Sequence, residues 1–214
     1  MLFRSCEVFI SFEGPDGSGK STQISLLAER LRSAGWEVVT VREPGGTPAG
    51  ERVRAILLGD GGAVPVNARA DALLFNASRA QLVADVIEPA IARGAVVIAD
   101  RFADSTLAYQ GYGSGLPIEE LRGMIRFATA GRTPDLTILL DLPAERGLAR
   151  KSGSGRTRFE EGFDAAFHER VAAGFRSLAA AEPSRWKVVD ASEEQGALAA
   201  QIDRIVREAL ATTR

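Results

Sequence analysis

Cysteine and histidine are nearly missing from this chain, which carries only Cys6 and His168 in 214 residues. One thiol cannot close an internal disulfide, and a single imidazole cannot build a His/Cys metal cluster, so disulfide-stapled and zinc-site classes are excluded. Cys6 enters the first expected strand and His168 sits in a charged, amphipathic helical stretch, so both read as structural. A basic excess is also missing: the net charge of −2 argues against a nucleic-acid-binding domain, which usually presents a strongly basic face. No apolar stretch reaches the roughly 18 to 20 residues of a membrane helix, and the first residues lack the apolar core and cleavage site of a signal peptide. The expectation is a cytoplasmic protein with no membrane partner. No Pro/Ser-rich linker and no internal repeat divides the chain, and 45% hydrophobic content suffices for one substantial core, so residues 1–214 are expected to form a single domain.

What is present concentrates on one stretch. An apolar run from Val8 to Phe12 meets Glu13 and then GPDGSGKS at residues 14–21, which fits the phosphate-binding pattern G-x-x-x-x-G-K-[ST] at every position. Gly14, Gly17 and Gly19 let the backbone turn its N–H groups inward, because residues without a Cβ take positive φ and approach a polyphosphate closely. Lys20 supplies a mobile charge for the β and γ phosphates, and Ser21 offers a hydroxyl to Mg²⁺. The helix that follows, Gln23 to Arg32 with Ile24, Leu27, Ala28 and Leu31 on one face, points its positive dipole end at the anion. With 22 glycines and lysine only at Lys20, Lys151 and Lys187, the pattern arises by accident in roughly three per thousand such chains. ATP is therefore expected on Gly14, Pro15, Asp16, Gly17, Ser18, Gly19, Lys20, Ser21 and Thr22.

A second strand is read at Trp36 to Val41, broken by Arg42-Glu43-Pro44-Gly45-Gly46-Thr47 where its carboxyl end should lie. In open α/β sheets that end faces the ligand, so Arg42 is placed to meet an anion; a plain turn with a solvated Arg fits the loop equally well. Glu51 to Leu58 reads as a short helix carrying Arg54, and Ala68 to Ala92 as a long one on which Phe75 and Arg79, four apart, share a face. An aromatic there is more often core and an Arg more often solvated. Ala95 to Ala99 is an apolar strand ending in Asp100-Arg101, a carboxylate at a strand tip that suits Mg²⁺ beside a phosphate loop, or else caps the next helix, with an Arg that can bridge phosphates. Asp104 to Gly115 is polar and glycine-flanked, and its Ser105, Thr106, Tyr109 and Gln110 either close over a base or sugar or simply pack.

Helices at Glu119–Ala130, Ala144–Arg150, Phe163–Ala181 and Glu194–Leu210 alternate with strands at Pro134–Asp141 and Trp186–Val189. Between Arg150 and Phe163 lie Lys151, glycines and serines, and then Arg156 and Arg158. Such a basic, flexible composition at about 150–160 suits a short lid closing over a polyphosphate, or a solvated loop. Five apolar strands alternating with helices make a three-layer α/β fold of the P-loop kinase kind, a five-stranded parallel sheet flanked by helices with right-handed crossovers. A guanine-reading N-K-x-D is absent, so the chemistry points to phosphoryl transfer to a small molecule. A regulatory nucleotide-binding switch without turnover is the rival from another class; Lys20, Asp100, Arg101 and the basic segment count against it.

The motifs FEGPDGSGKST at 12–22, REPGGT at 42–47, LLFNASRAQ at 73–81, DRFADSTLAYQG at 100–111, RFE at 158–160 and VVDAS at 188–192 resemble those of thymidylate kinases, over nearly the whole chain. The resemblance implies phosphorylation of dTMP by ATP with Mg²⁺, for dTTP synthesis, by a homodimer. It implies that Asp16 contacts the acceptor sugar, Arg42 and Arg54 its phosphate, Phe75 and Arg79 the thymine, and Tyr109 and Gln110 sugar and base, with Ser105 and Thr106 beside them. Asp100 and Ser21 would serve Mg²⁺, Lys20 and Arg101 the transferring phosphate, and Arg150 the ATP. Some members carry an Arg just after the acidic loop residue; here that position is Gly17, so the charge is expected from the lid through Arg150, Arg156 or Arg158.

Overall fold

The computed structural model describes residues 7–58, 66–150 and 163–212. Cys6 and the expected lid beyond Arg150, with Lys151, Arg156 and Arg158, lie outside the described residues. The strands are β1 Val8–Glu13, β2 Val38–Arg42, β3 Val96–Asp100, β4 Leu136–Asp141 and β5 Trp186–Asp190. All pairings are parallel, in the spatial order β2-β3-β1-β4-β5. A parallel sheet is covered on both faces, which is why β1, β3 and β4 are almost wholly buried and read as continuous apolar runs.

Side-chain alternation sorts those runs between two helical layers. Val8, Ile10 and Phe12 pack with Ile24, Leu27 and Leu31 of α1 (Lys20–Ser33) and with Leu198, Ile202 and Val206 of the last helix, α9 (Gln195–Thr212). On the opposite face Phe9 packs with Val97, Ala99, Leu82 and Phe102. The helices there include α2 (Pro48–Leu58), α3 (Ala68–Leu82) and α4 (Glu88–Ala92), the last two joined by a π-helical turn at Val83–Ile87. Pro89 has no N–H for a regular turn, which accounts for the wider one before it.

Several expected bounds shift. The first helix begins at Lys20 rather than Gln23, directly on the phosphate-binding loop. The second strand begins at Val38, because the Trp36 amide still donates to Leu31 O (3.0 Å) at the end of α1. Helix α2 starts earlier, at Pro48, a residue suited to a first helical position. Strand β4 starts past Pro134, which cannot donate to a ladder. The helix α6 (Ile118–Ala128) stops short of Ala130 and Gly131, which take positive φ. Helix α7 (Ala144–Arg150) keeps its expected bounds, and α8 (Ala165–Ala181) starts two residues late, with Asp164 accepting from the Phe167 amide at 2.8 Å.

The larger addition concerns Asp104–Gly115, read above only as a polar, glycine-flanked segment. It is helical, as α5 (Ala103–Thr106) followed by a π-helical stretch at Leu107–Gly113. Packing decides this against local propensity: Leu107, Ala108 and Tyr109 are buried with Phe167, Val171 and Phe175 of α8.

Candidate active site

The register puts Phe12 of β1 and Arg42 of β2 level with Asp100 of β3, so the loops after these strands open on one cleft of about 440 Å³. With β3 and β4 on opposite sides of β1, the loop after β1 stands where an open α/β sheet binds its ligand.

At one end is the phosphate loop. Gly14, Gly17 and Gly19 take φ of 138°, 75° and 91°, and no acidic residue stands in the first turn of α1 to neutralise its dipole. The Lys20 ammonium donates to the carbonyls of Gly14 (3.1 Å) and Pro15 (2.9 Å) and to Ser18 Oγ (3.4 Å). Burial, then the nearby Arg101 guanidinium, lower its pKa to about 8. Ser21 Oγ donates to Asp100 Oδ2 at 2.5 Å, bringing together a hydroxyl and a carboxylate from the two motifs. Two hard oxygen donors at a phosphate loop fit Mg²⁺, which keeps most of its waters and takes few protein ligands.

Arg101 stands between this loop and the rest of the cleft. Its Nη1 donates to Gly14 O (3.0 Å) and Ser105 Oγ (3.1 Å), and its Nη2 to Asp16 Oδ1 (2.7 Å) and Tyr109 Oη (3.1 Å). The Tyr109 hydroxyl donates to Asp16 Oδ2 at 2.9 Å, and burial pushes that phenol well above its usual 10, so it remains a donor. A cation, a carboxylate and a hydroxyl thus form one network at mid-cleft.

The far end is lined by Phe75, Leu58, Pro44, Thr106, Gln110 and Arg79. Arg79 is not solvated: its side chain is 1% exposed and paired with Glu43, with further bonds from Nη1 to Asn76 Oδ1 (2.9 Å) and from Nη2 to Thr106 Oγ1 (3.0 Å). Arg42 pairs with Glu51 at 2.8 Å on the exposed rim, and Arg54 Nη1 donates to Pro44 O at 2.8 Å. Arg150 reaches the cleft from the end of α7 and donates to Ala191 O at 3.2 Å. All the expected site residues among those described therefore meet in or directly behind this cleft; Arg156 and Arg158 lie outside the described residues.

The absent loop charge has a steric reason. A Cβ on Gly17 would overlap the Gly147 carbonyl, and one on Gly147 the Asp16 carbonyl, so the phosphate loop and α7 meet backbone to backbone. No side chain fits there.

Two carboxylates escaped the sequence reading. Glu43 pairs with Arg79 and lines the cleft. Glu13, behind Arg101, is raised to about 8 by burial and then by the negative charge of Asp104. Both sit inside motifs already quoted; Glu13 carried the signal of a charge closing an apolar strand, whereas Glu43 stands one residue beyond the Arg that ends β2.

A family model described as thymidylate kinase matches residues 12–202. The thymidylate kinase of Deinococcus radiodurans is 48% identical over 201 residues, covering 94% of this chain and 97% of that protein. The thymidylate kinase of Pseudomonas fluorescens is 49% identical over 209 residues, covering 97% of this chain and 98% of that one. A crystal structure of thymidylate kinase from Ehrlichia chaffeensis matches with a TM-score of 0.78 and 32% identity, over 94% of this chain and 99% of that chain.

Proposed function

The chain belongs to the thymidylate kinase family, and we propose that it is an enzyme that phosphorylates dTMP to dTDP with ATP, a step in dTTP biosynthesis. A single cleft supports this: phosphate loop at one end, an aromatic and amide pocket at the other, and Arg101 between them.

In this reading the ATP phosphates lie on the backbone N–H groups of residues 14–22, and Lys20 leaves its loop carbonyls for the β and γ phosphates. Arg150 takes the outer side of ATP. Ser21 and Asp100 hold Mg²⁺, which supplies neutralising charge to the phosphates when bound. Arg42 and Arg54 receive the dTMP phosphate, Phe75 stacks on thymine, and Arg79 and Gln110 meet its edge. Asp16 and Tyr109 position the sugar, with Ser105 and Thr106 completing the wall.

Phosphoryl transfer asks for in-line positioning and charge neutralisation rather than covalent chemistry. Arg101 spans donor and acceptor, held by Asp16 and the Gly14 carbonyl. Arg156 and Arg158 belong to the segment we assign as the lid; they would add positive charge and exclude water that would otherwise hydrolyse ATP.

The whole chain is taken as one kinase domain working in the cytoplasm, where its small-molecule substrates are. No helix of the described residues is long and apolar enough to cross a membrane. A homodimer is also part of the proposal. It is supported by Ile56, Leu73 and Phe127, exposed at 42%, 58% and 90% on α2, α3 and α6, helices that pack in a row.

The test is ADP formation from ATP and Mg²⁺ against dTMP, dUMP, dCMP, AMP, CMP, thymidine and no acceptor. A dominant rate with dTMP is expected. Another preferred acceptor would reassign Phe75, Arg79, Tyr109 and Gln110, and no acceptor-dependent rate would return the switch reading.

A further inference from the structure

Glu13 ends β1 within hydrogen-bond reach of α5, and it is fully buried. A buried carboxylate is costly unless its oxygens are engaged, and both are. Oε1 accepts from the Phe102 amide at 2.8 Å, and Oε2 from the Ser105 hydroxyl at 2.6 Å. Both partners follow closely after Arg101, whose backbone is unusual: with φ of 69° it is left-handed, as among the described non-glycine residues only Ala130 also is. A residue with a side chain holds that conformation only where its surroundings over-determine it.

Here the surroundings grip both sides of the residue. The Arg101 amide donates to Phe12 O at 3.0 Å, and the next amide, of Phe102, is taken by Glu13. Ser105 Oγ donates to Glu13 and accepts from Arg101 Nη1 at 3.1 Å, so one side chain reaches backbone and guanidinium together. The turn has a purpose. Along an extended strand, successive side chains point to opposite faces, so Arg101 would leave the face Asp100 uses. The left-handed turn brings both to one loop, Asp100 onto Ser21 and Arg101 onto Gly14 O.

We propose that Glu13 is a positioning residue for phosphoryl transfer, holding the left-handed turn at Arg101 and the guanidinium it aims. This rests on Arg101 acting between donor and acceptor. Glu13 does its work through hydrogen bonds: a glutamine carbonyl accepts from Phe102 equally, and its amide donates to Ser105 Oγ, whereas alanine leaves both groups unheld.

A double-mutant cycle tests it, with kcat and KM for ATP and for the best acceptor of the wild-type panel. Glu13→Ala is expected to lower kcat by about 10- to 100-fold while each KM stays within about 3-fold, and Glu13→Gln to recover most of the loss. In an Arg101→Ala background, Glu13→Ala is expected to cost less than about 2-fold more, because its effect passes through the missing guanidinium. A general structural defect would instead multiply with the Arg101 loss, and that outcome overturns the proposal. So does a KM effect with kcat unchanged, or an equal loss for Ala and Gln. If Glu13→Ala does not fold, Glu13→Asp, one methylene short of both partners, takes its place in the cycle with the same criteria. The wild-type panel reports separately on the choice of acceptor, so failure of one inference is distinguishable from failure of the other.

Discussion

Arg79 and Glu43 form a salt bridge sealed from water, with Nη2 2.7 Å from Oε2 and side chains 1% and 3% exposed. The pair ties α3 to the loop after β2, at the end of the cleft away from the phosphate loop, while burial raises the Glu43 pKa against the pull of Arg79. Removing one partner of such a pair strands the other, at a cost of about 3 to 5 kcal/mol. Arg79→Ala is therefore expected to lose roughly that much stability in urea unfolding, besides weakening dTMP binding. A variant of wild-type stability with only a raised KM for dTMP would make the residue a pure ligand contact.

Arg101 combines the side chain we assign to phosphoryl transfer with a left-handed backbone. Arg101→Ala and Arg101→Gly should both lower kcat by orders of magnitude, but they differ in stability. Glycine takes φ of 69° freely, so Arg101→Gly should be the more stable of the two by about 1 kcal/mol. Equal thermal midpoints would indicate that the turn relaxes once the guanidinium is gone.

The backbone contact between Gly17 and Gly147 makes a prediction about the loop charge. Placing an Arg at Gly17, as some thymidylate kinases do, forces α7 away from the phosphate loop. Gly17→Arg alone should lower stability by about 1 to 3 kcal/mol and reduce kcat/KM for ATP, and Gly147→Ala should do the same more mildly. Circular-dichroism melts and ATP kinetics check this; a Gly17→Arg enzyme of unchanged stability and rate would mean that α7 yields freely.

Glu13 should leave a signature in the pH dependence of stability. Its carboxyl is raised from the usual 4.5 to about 8, by burial first and Asp104 second, against the hydrogen bond from Ser105 and the charge of Arg101. Between these values the native protein holds a proton that the unfolded chain has released. The resulting stability is fully present below 4.5 and is lost as pH rises through about 8. Lys20 acts oppositely at higher pH: lowered from 10.5 to about 8, it makes stability rise across that interval. Urea midpoints between pH 5 and 8 should therefore fall more steeply for wild type than for Glu13→Gln. Glu43, common to both proteins, cancels in the difference, and parallel curves would show Glu13 ionised in the fold.

The phosphate loop, the alternation of apolar strands with helices, and the placement of Arg42, Asp100 and Arg101 each at the end of an apolar run were all legible from the chain. Each depends on a local period or on short-range chemistry, so a window of ten or twenty residues contains it. The helical state of Ala103–Gly113 was not, because it depends on Phe167, Val171 and Phe175 of a later helix. Nor were the partners of the buried charges: Glu43 lies 36 residues from Arg79, and Glu13 lies 89 and 92 residues from Phe102 and Ser105. What the sequence determined by itself is which residue types stand at the end of each strand. Which of them face one another was decided by the tertiary structure, through the order β2-β3-β1-β4-β5 and its register. Hydrogen bonds between buried groups are made across strands and layers, where sequence separation carries no distance information.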